Sequence, residues 1–170
     1  MATIAFLLDS NFEDSEFRQP YDAVRGAGHD VVVIGLEKGK EAAGKKGTET
    51  FTVEAGPEAA NADDFDGVVI PGGYAPDHLR TDETLVGFVR DLAAAGKPVA
   101  AICHAGWVLA EADVVRGRRV TSVRNIRTDL VNAGADWVDE EVVEDGSLIT
   151  SRTPADLPAF NAAILRRLGA

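Results

Sequence analysis

Residues 97–106 read KPVAAICHAG, and this segment predicts the central part of an α/β fold. A lysine and a proline lead into an apolar run, residues 99–102, of the kind that forms a strand covered on both faces of a parallel sheet. Cys103 and His104 end the run, and a segment with helical character follows at once. A strand, a sharp turn and a helix start in immediate succession predict a nucleophile elbow, the turn that projects one side chain above an α/β sheet.

Similar apolar runs occur at three other places in the chain: residues 3–8, 31–34 and 68–70. Between the first two, Phe17, Tyr21 and Val24 recur at helical spacing. Strand, helix and strand in this order predict a βαβ unit, whose crossover is right-handed in nearly all proteins. The continued alternation of strands and helices predicts a doubly wound α/β/α sandwich with a mostly parallel sheet.

The rest of the chain adds helices, a hairpin and a loop. Apolar residues at helical spacing predict helices around residues 85–92, 105–112, 129–133 and 157–168. Asp145-Gly146, between two short apolar pairs, predicts a β-hairpin. Residues 153–156, Thr-Pro-Ala-Asp, have the form of a capping box at the start of the last helix. Residues 48–53 predict a short strand, whereas the lysine- and glycine-rich residues 38–46 predict an exposed loop without a function.

The composition is that of an acidic globular protein. The 170 residues predict a single domain, residues 1–170, and 17 basic against 28 acidic residues give a net charge of −11. This charge excludes a stable nucleic-acid complex, because phosphate binding depends on basic patches. No apolar run approaches the ~18 residues that span a bilayer, and no signal-peptide pattern is visible. The single cysteine excludes an intrachain disulfide, and together these features predict a cytoplasmic protein without membrane contact.

Three loops with chemically active groups follow the ends of predicted strands. In chain order they contain Glu13 and Glu16, Gly72 and Gly73, and Cys103 with His104. Ligands of open parallel sheets bind beyond the carboxyl ends of the strands, so these loops are expected to converge on one site. A thiol, an imidazole, carboxyl groups and a Gly-Gly turn in one place predict nucleophilic catalysis.

Cys103 is the candidate nucleophile. At the start of a helix, a thiol senses the positive end of the helix dipole, which predicts a pKa lowered toward the thiolate. A lone cysteine is more often an inert core residue, but its place at the strand–helix junction favours the reactive role. His104 is either its general base or a group that satisfies the helix start. Because adjacent side chains point apart, a direct contact between the two requires a strained turn.

Backbone N–H groups and carboxyl groups complete the candidate site. The N–H groups of Gly72, Gly73 and His104 predict an oxyanion hole, with a tight turn that binds nothing as the alternative for the glycines. Asp14 is interpreted as a favourable charge at the start of the first helix. One of the two neighbouring glutamates is expected to face the thiol instead, since a protonated carboxyl can donate a hydrogen bond to a thiolate.

Five sequence motifs, spread over most of the chain, occur together in one known family. They are NFEDSEF at 11–17, VIPGG at 69–73, KPVAAICH at 97–104, NAGADWVD at 132–139 and TSRTPADLPAF at 150–160. With them the chain resembles the DJ-1/PfpI superfamily, and within it the branch of PfpI-like intracellular proteases and general stress proteins. The resemblance implies a flavodoxin-like fold of the class I glutamine amidotransferase type, a homodimer that in some members assembles into hexamers, and no metal or other cofactor.

The resemblance also implies roles for individual residues. Cys103 is the nucleophile, and Glu16 is the protonated carboxyl beside its sulfur. The backbone amides of Gly73 and His104 match the oxyanion hole. In proteolytic members, the acidic partner of the histidine comes from a neighbouring subunit, at the position of Asp77, which is one methylene shorter here than the usual glutamate.

Three functions follow from these observations. The first is a cysteine-dependent stress-response enzyme, for which the resemblance implies deglycase or glyoxalase chemistry on methylglyoxal or its early adducts, so that the partner is a small carbonyl or glycated substrate. The second is an intracellular cysteine peptidase, which Val123 disfavours because proteolytic relatives often carry a tyrosine there. The third is a redox sensor or chaperone without turnover. A glutamine amidotransferase is excluded, since no His-x-Glu pair follows residue 150.

Overall fold

The computed structural model describes residues 1–169. Its strands are β1 (Thr3–Leu7), β2 (Asp30–Ile34), β3 (Glu41–Ala43), β4 (Thr50–Thr52), β5 (Gly67–Ile70), β6 (Val99–Ile102), β7 (Arg119–Val120), β8 (Asp136–Trp137), β9 (Val142–Asp145) and β10 (Leu148–Ser151). Its α-helices are α1 (Asp14–Gly26), α2 (Ala75–Leu79), α3 (Glu83–Ala94), α4 (Gly106–Glu111), α5 (Arg127–Asn132) and α6 (Leu157–Arg167). Short 3-10 turns occur at Pro57–Ala59, Ala62–Asp64, Cys103–Ala105, Arg124–Ile126 and Pro154–Asp156.

The central sheet has six strands in the order β2-β1-β5-β6-β10-β9. Its neighbouring strands are parallel except for β10 and β9, which form the hairpin at one edge. Helices α1 and α6 contact each other, and α3 contacts α4, β5 and β6, so the helices flank the sheet in two groups. The predicted α/β sandwich with a mostly parallel sheet is confirmed. Among the described helices, none combines the length and the apolar character that crossing a membrane requires.

The direction in which strands are added to the sheet reverses at β1, which lies between β2 and β5. At such a switch point, the loops after adjacent strands run to opposite sides and leave a crevice at the carboxyl ends. The loops after β1, β5 and β6 are the three that carry the predicted site residues. The topology therefore places them side by side.

An aromatic cluster packs α1 against the sheet. Phe17 projects from α1 and is fully buried. Its ring centre lies between 5.1 and 6.0 Å from those of four other aromatic rings: Phe6, Phe12, Tyr21 and Phe51. Because Phe6 belongs to β1 and Phe51 to β4, the cluster joins the sheet, the first helix and the β3–β4 hairpin into one unit.

The lysine-rich residues 38–46 are more ordered than an exposed loop. They contain β3, which pairs antiparallel with β4 and buries Ala42. A strand of three residues is too short for an alternating pattern to be visible in the sequence. The predicted exposure is confirmed for most of residues 38–46, whereas the prediction of a loop is wrong for Glu41–Ala43.

The last two strands and the last helix give one confirmed and one corrected prediction. The β9–β10 hairpin turns at Asp145-Gly146, and the φ of 58° at Gly146 is in the left-handed region. Thr153, however, makes no side-chain cap hydrogen bond. Asp156 instead accepts hydrogen bonds from the backbone N–H of Arg152 at 3.0 Å and from its guanidinium at 2.8 Å. This ion pair, not a capping box, precedes α6.

Replacing Phe17 with alanine tests the aromatic cluster. Removal of a fully buried ring leaves a cavity, so the free energy of unfolding is expected to fall by about 3–5 kcal/mol. Val131 on α5 is 42% exposed and provides the control. Val131→Ala should change the same quantity by less than ~0.5 kcal/mol. Urea denaturation followed by circular dichroism measures both variants, and equal losses would contradict the packing described.

Candidate active site

Cys103 lies in the 3-10 turn between β6 and α4. Its φ of 62° is a left-handed conformation, which costs a residue with a side chain about 1–2 kcal/mol. The turn leaves only 8% of the residue exposed. It also brings Cys103 Sγ to 3.4 Å from His104 Nδ1. The strained turn that a direct contact between these neighbours requires is therefore present.

Two backbone N–H groups are directed at the sulfur. They belong to His104 and Gly73, and both favour a negative charge on Cys103. Gly73 has a φ of 79°, and a Cβ there would lie 2.4 Å from the backbone nitrogen of Glu13. Only glycine fits this close approach. A glycine is therefore required at position 73 for the backbone N–H to reach Cys103. The loop after β5 and the elbow after β6 thus bring two donors to one atom.

The backbone N–H of Gly72 binds a carboxyl group instead of contributing to the expected oxyanion hole. Its N–H donates to Glu16 Oε1 at 2.9 Å, so it is not free to bind an oxyanion at Cys103. The expected oxyanion role of Gly72 is corrected accordingly: this N–H orients Glu16. A Cβ at this position would lie 2.5 Å from Glu16 Oε1 and 2.7 Å from Cys103 Cβ. The missing side chain lets the acid and the thiol lie next to each other.

Glu16 is fully buried beside the thiol. Burial raises its pKa to about 8, and the negative charge of Glu13 adds to the effect. Glu16 is therefore protonated at neutral pH. Within residues 1–169, its second oxygen, Oε2, has no hydrogen-bond partner. A proton on this oxygen is available for the sulfur or for a bound substrate.

The Cys103 thiol is not acidified in this environment. Burial raises its pKa to about 12 and the charge of ionised Glu16 adds to the rise, while the two directed N–H groups and the Lys45 ammonium oppose it. The predicted lowering of the thiol pKa is wrong, because burial outweighs the dipole of a helix that begins only after the 3-10 turn. At pH 7 the resting group is a thiol.

His104 is placed to act as a base for this thiol. Burial lowers its pKa, and the Lys45 ammonium contributes to the lowering. The imidazole is therefore neutral at pH 7. With its proton on Nε2, it can accept the Cys103 proton at Nδ1 across 3.4 Å. Ionisation of the thiol is thereby coupled to protonation of the adjacent ring.

Two lysines form ion pairs with Glu13, the glutamate that precedes α1. Lys45 Nζ lies 3.0 Å from Glu13 Oε2, and Lys46 Nζ lies 2.8 Å from Glu13 Oε1. Burial of Glu13 raises its pKa, but the two lysines outweigh burial and lower it. The sequence analysis assigns neither lysine to the site. The sequence feature that could have indicated them is the Gly-Lys-Lys-Gly segment just before the predicted strand at residues 48–53.

Asp14 fixes the loop that carries these lysines. Its carboxylate accepts hydrogen bonds from the N–H groups of Lys46, Thr48 and Glu49 at 2.9–3.0 Å, and from the Thr48 hydroxyl at 2.8 Å. Burial raises its pKa, but these hydrogen bonds outweigh burial and lower it. Asp14 does lie in the first turn of α1, where the helix dipole favours it. Its hydrogen-bond partners, however, are in the loop.

Asp77 lies outside the buried part of the site. It is exposed in the first turn of α2. Tyr74, the residue before this helix, has its ring centre 6.2 Å from that of His104. Within residues 1–169, the Asp77 side chain itself makes no hydrogen bond or ion pair with the site residues named above, and its role toward a histidine of a neighbouring subunit stays a prediction.

Comparisons with known proteins agree with one another. The sequence model described as "DJ-1/PfpI family" matches residues 2–167. "Protein/nucleic acid deglycase 2" of Escherichia coli (strain K12) is 49% identical over 168 residues, 98% of each chain. In Bacillus subtilis (strain 168), "General stress protein 18" is 48% identical over 166 residues, 97% of this chain and 96% of the relative. "Putative cysteine protease YraA" of the same strain is 45% identical over 165 residues, 97% of each chain.

A solved structure shows the same fold. It is a two-domain protein from Anabaena variabilis ATCC 29413 with DJ-1/ThiJ/PfpI-like and ferritin-like domains. The two structures superpose with a TM-score of 0.97 at 44% identity over 99% of this chain. The chain spans about half of that protein, 48% of its length.

Gly72→Ala tests the close packing of acid and thiol. The new Cβ would meet three atoms at 2.5–2.9 Å, so Glu16 or Cys103 must move. We expect the free energy of unfolding to fall by about 1–3 kcal/mol and the rate of Cys103 alkylation by iodoacetamide to change. Gly87→Ala in α3 is the control, since a Cβ there meets nothing within 4 Å. It should stabilise the helix by ~0.5–1 kcal/mol and leave alkylation unchanged; the same result for both variants would disprove the contact.

The raised pKa of Glu16 predicts a pH dependence of stability. This carboxyl changes from a pKa of 4.5 in the unfolded chain to about 8 in the folded protein, so the folded protein binds more protons between these values. Its contribution to stability is complete below the lower value and is lost as the pH rises to the upper one, by about 5 kcal/mol in all. Glu16→Gln removes this titration. The variant should therefore gain stability relative to the parent over this range, as measured by urea denaturation; a constant difference would contradict the raised pKa.

Proposed function

The chain belongs to the DJ-1/PfpI family, and from this premise we propose that it is a cysteine-dependent enzyme that acts on reactive carbonyl compounds. The substrates are methylglyoxal and its early adducts with amines. The observation that carries the proposal is the contact of 3.4 Å between Cys103 Sγ and His104 Nδ1, with protonated Glu16 beside them. The similarity to a relative named as a deglycase supports this substrate class.

The first step of the proposed reaction is addition of sulfur to the aldehyde carbon. His104 Nδ1 takes the thiol proton, and Cys103 Sγ forms a C–S bond while the π electrons of the C=O bond move to oxygen. The N–H groups of Gly73 and His104 are directed at the sulfur and stand next to the new oxyanion. With an amine adduct, sulfur instead displaces the amine, which leaves with a proton.

The second step moves hydrogen between the two carbonyl carbons. A base removes the proton from the former aldehyde carbon, and a proton is returned to the neighbouring carbon. The first carbon becomes a thioester and the second an alcohol, so one is oxidised and the other reduced by the same electron pair. Glu16 and His104 carry the protons. Water then cleaves the thioester, which releases lactate and restores the thiol.

A peptidase is the second candidate, and the relative named as a cysteine protease favours it. This function requires an acidic partner for the histidine. We propose a homodimer or a larger assembly, in which Asp77 of one copy approaches His104 of another. Peptide cleavage should then depend on Asp77 and on protein concentration, whereas carbonyl turnover should not depend on Asp77.

Cys103→Ala tests the proposed nucleophile. With no sulfur to form the bond, turnover of methylglyoxal should disappear, and Glu16→Gln should also abolish it because its amide cannot carry the proton. His104→Ala is expected to lower kcat by about 10²–10⁴. Val131→Ala, on the exposed face of α5, is the control. Lactate formation is measured alongside cleavage of a fluorogenic peptide.

The outcomes of this panel separate three functions. Lactate formation that depends on Cys103 supports the proposal, and full turnover by Cys103→Ala disproves it. Peptide cleavage without lactate formation supports the peptidase. Oxidation of Cys103 by mild peroxide, detected by mass spectrometry without turnover of any substrate, supports a redox sensor.

A further inference from the structure

The imidazole of His104 packs against two other aromatic rings. Its centre lies 5.1 Å from that of the Trp107 ring, at an interplanar angle of 57°, and 6.2 Å from that of the Tyr74 ring, at 41°. Both distances are in the range of direct aromatic contact. Trp107, the nearer of the two, is the second residue of α4. The proposed reaction steps give neither ring a role.

The orientation of the His104 ring decides whether it can act as a base for the thiol. Nδ1 is the ring nitrogen that lies 3.4 Å from Cys103 Sγ. The torsion that turns an imidazole has broad minima, so the side chain does not fix its own orientation. In nucleophile–base pairs, a third group that accepts the other ring N–H usually does so. Within residues 1–169, Cys103 is the only hydrogen-bond partner of the ring, so its orientation depends on packing.

Trp107 is itself held in place by neighbouring elements. Its Nε1–H donates to Asp129 Oδ2 on α5 at 2.9 Å, and the guanidinium carbon of Arg80 lies 5.8 Å from the centre of its ring. The two helices pack closely at this point, since a Cβ on Gly106 would lie 3.1 Å from the Leu130 side chain. The indole therefore has a fixed position from which it can restrain the adjacent imidazole.

We propose that Trp107 and Asp129 are positioning residues, which hold the His104 ring with Nδ1 toward the Cys103 thiol. This inference rests on the proposed function for the role of His104 as the base. Asp129 fixes the indole through its N–H, and the indole restrains the imidazole through ring contact. Because an indole has no charge, it can orient the ring without favouring the imidazolium form, as a carboxylate would.

Alkylation of Cys103 by iodoacetamide tests the proposal. The sulfur of this single cysteine forms a C–S bond as iodide leaves, and His104 takes the thiol proton. At pH 7, Trp107→Leu should lower the second-order rate constant about tenfold, because a misplaced base loses part of the ~10²-fold or larger effect of general-base catalysis. In the His104→Ala background, the same replacement should change the rate constant less than about twofold, because no base is left to position.

This double-mutant comparison separates positioning from a purely structural effect. A wider opening to the thiol or a loosened turn would change alkylation in both backgrounds, so equal changes in the two would overturn the proposal. A parent rate constant in Trp107→Leu, or in His104→Ala, would overturn it as well.

Trp137→Leu is the matched control. The Trp137 Nε1–H also donates to a side-chain oxygen at 2.9 Å, Ser122 Oγ, and the Arg127 guanidinium carbon lies 5.7 Å from the ring centre. Within residues 1–169, this indole has no ring contact with His104. Its replacement should leave the rate constant of Cys103 alkylation within about twofold of the parent. A tenfold loss in both tryptophan variants would contradict a specific role of Trp107.

Asp129 provides a second pair of variants in case Trp107→Leu does not fold. Asp129 is exposed, so its replacement leaves the core intact. Asp129→Ala removes the acceptor of the indole N–H and should lower the alkylation rate constant about threefold. Asp129→Asn keeps an acceptor oxygen and should retain most of the parent value. Equal losses in the two variants, or no loss in Asp129→Ala, would overturn the assignment of Asp129.

Methylglyoxal turnover by the parent protein is measured separately. Alkylation uses only the thiol and its base, so it can support or overturn the positioning role even if no methylglyoxal is consumed. Turnover together with an unchanged alkylation rate in Trp107→Leu would support the proposed function and reject the role of Trp107. The two hypotheses can therefore fail independently.

Discussion

The close approach of the loop after β5 to Cys103 is the constraint on which the site depends. At Gly72 no side chain stands between thiol and acid, and a Cβ there would come within 2.7 Å of Cys103 Cβ. The N–H of Gly72 orients Glu16, and the next N–H, of Gly73, is directed at the sulfur. Two successive backbone donors thus serve the acid and the thiol. The left-handed turn at Cys103, after β6, brings the thiol to these groups. The packing of the sheet offsets the free-energy cost of this strained turn.

Burial then determines how the site can react. Glu16 and Cys103 both keep their protons at pH 7, which avoids two negative charges in adjacent buried positions. The Cys103 thiol keeps its proton at rest, and the neutral His104 beside it is the group that can accept this proton. Because a thiolate is the form that oxidants attack most readily, the resting thiol is the less easily oxidised form.

The strands, the elbow and the convergence of three loops could be predicted because their signals are local: an apolar run, its abrupt end, and a Gly-Gly pair. The thiol pKa could not be predicted, since it depends on how much water the folded chain excludes. The role of Gly72 depends on Glu16, 56 positions away, and that of Asp14 on a loop 32 to 35 positions away. Neither contact leaves a pattern in the neighbouring sequence, and the same holds for Lys45.

The ion pairs of Glu13 with Lys45 and Lys46 leave the polar edge of the site without a net charge. Glu13 and Asp14 contribute two negative charges and the two lysines contribute two positive ones, since the pKa of each carboxyl group is lowered. Salt screens the overall charge of −11 within about 8 Å under physiological conditions, so these paired groups, more than the net charge, decide what an approaching ligand meets. Asp14 holds the backbone of the loop and Glu13 holds the two ammonium groups. Because these charges are already oriented, they need not reorganise when charge develops in the site.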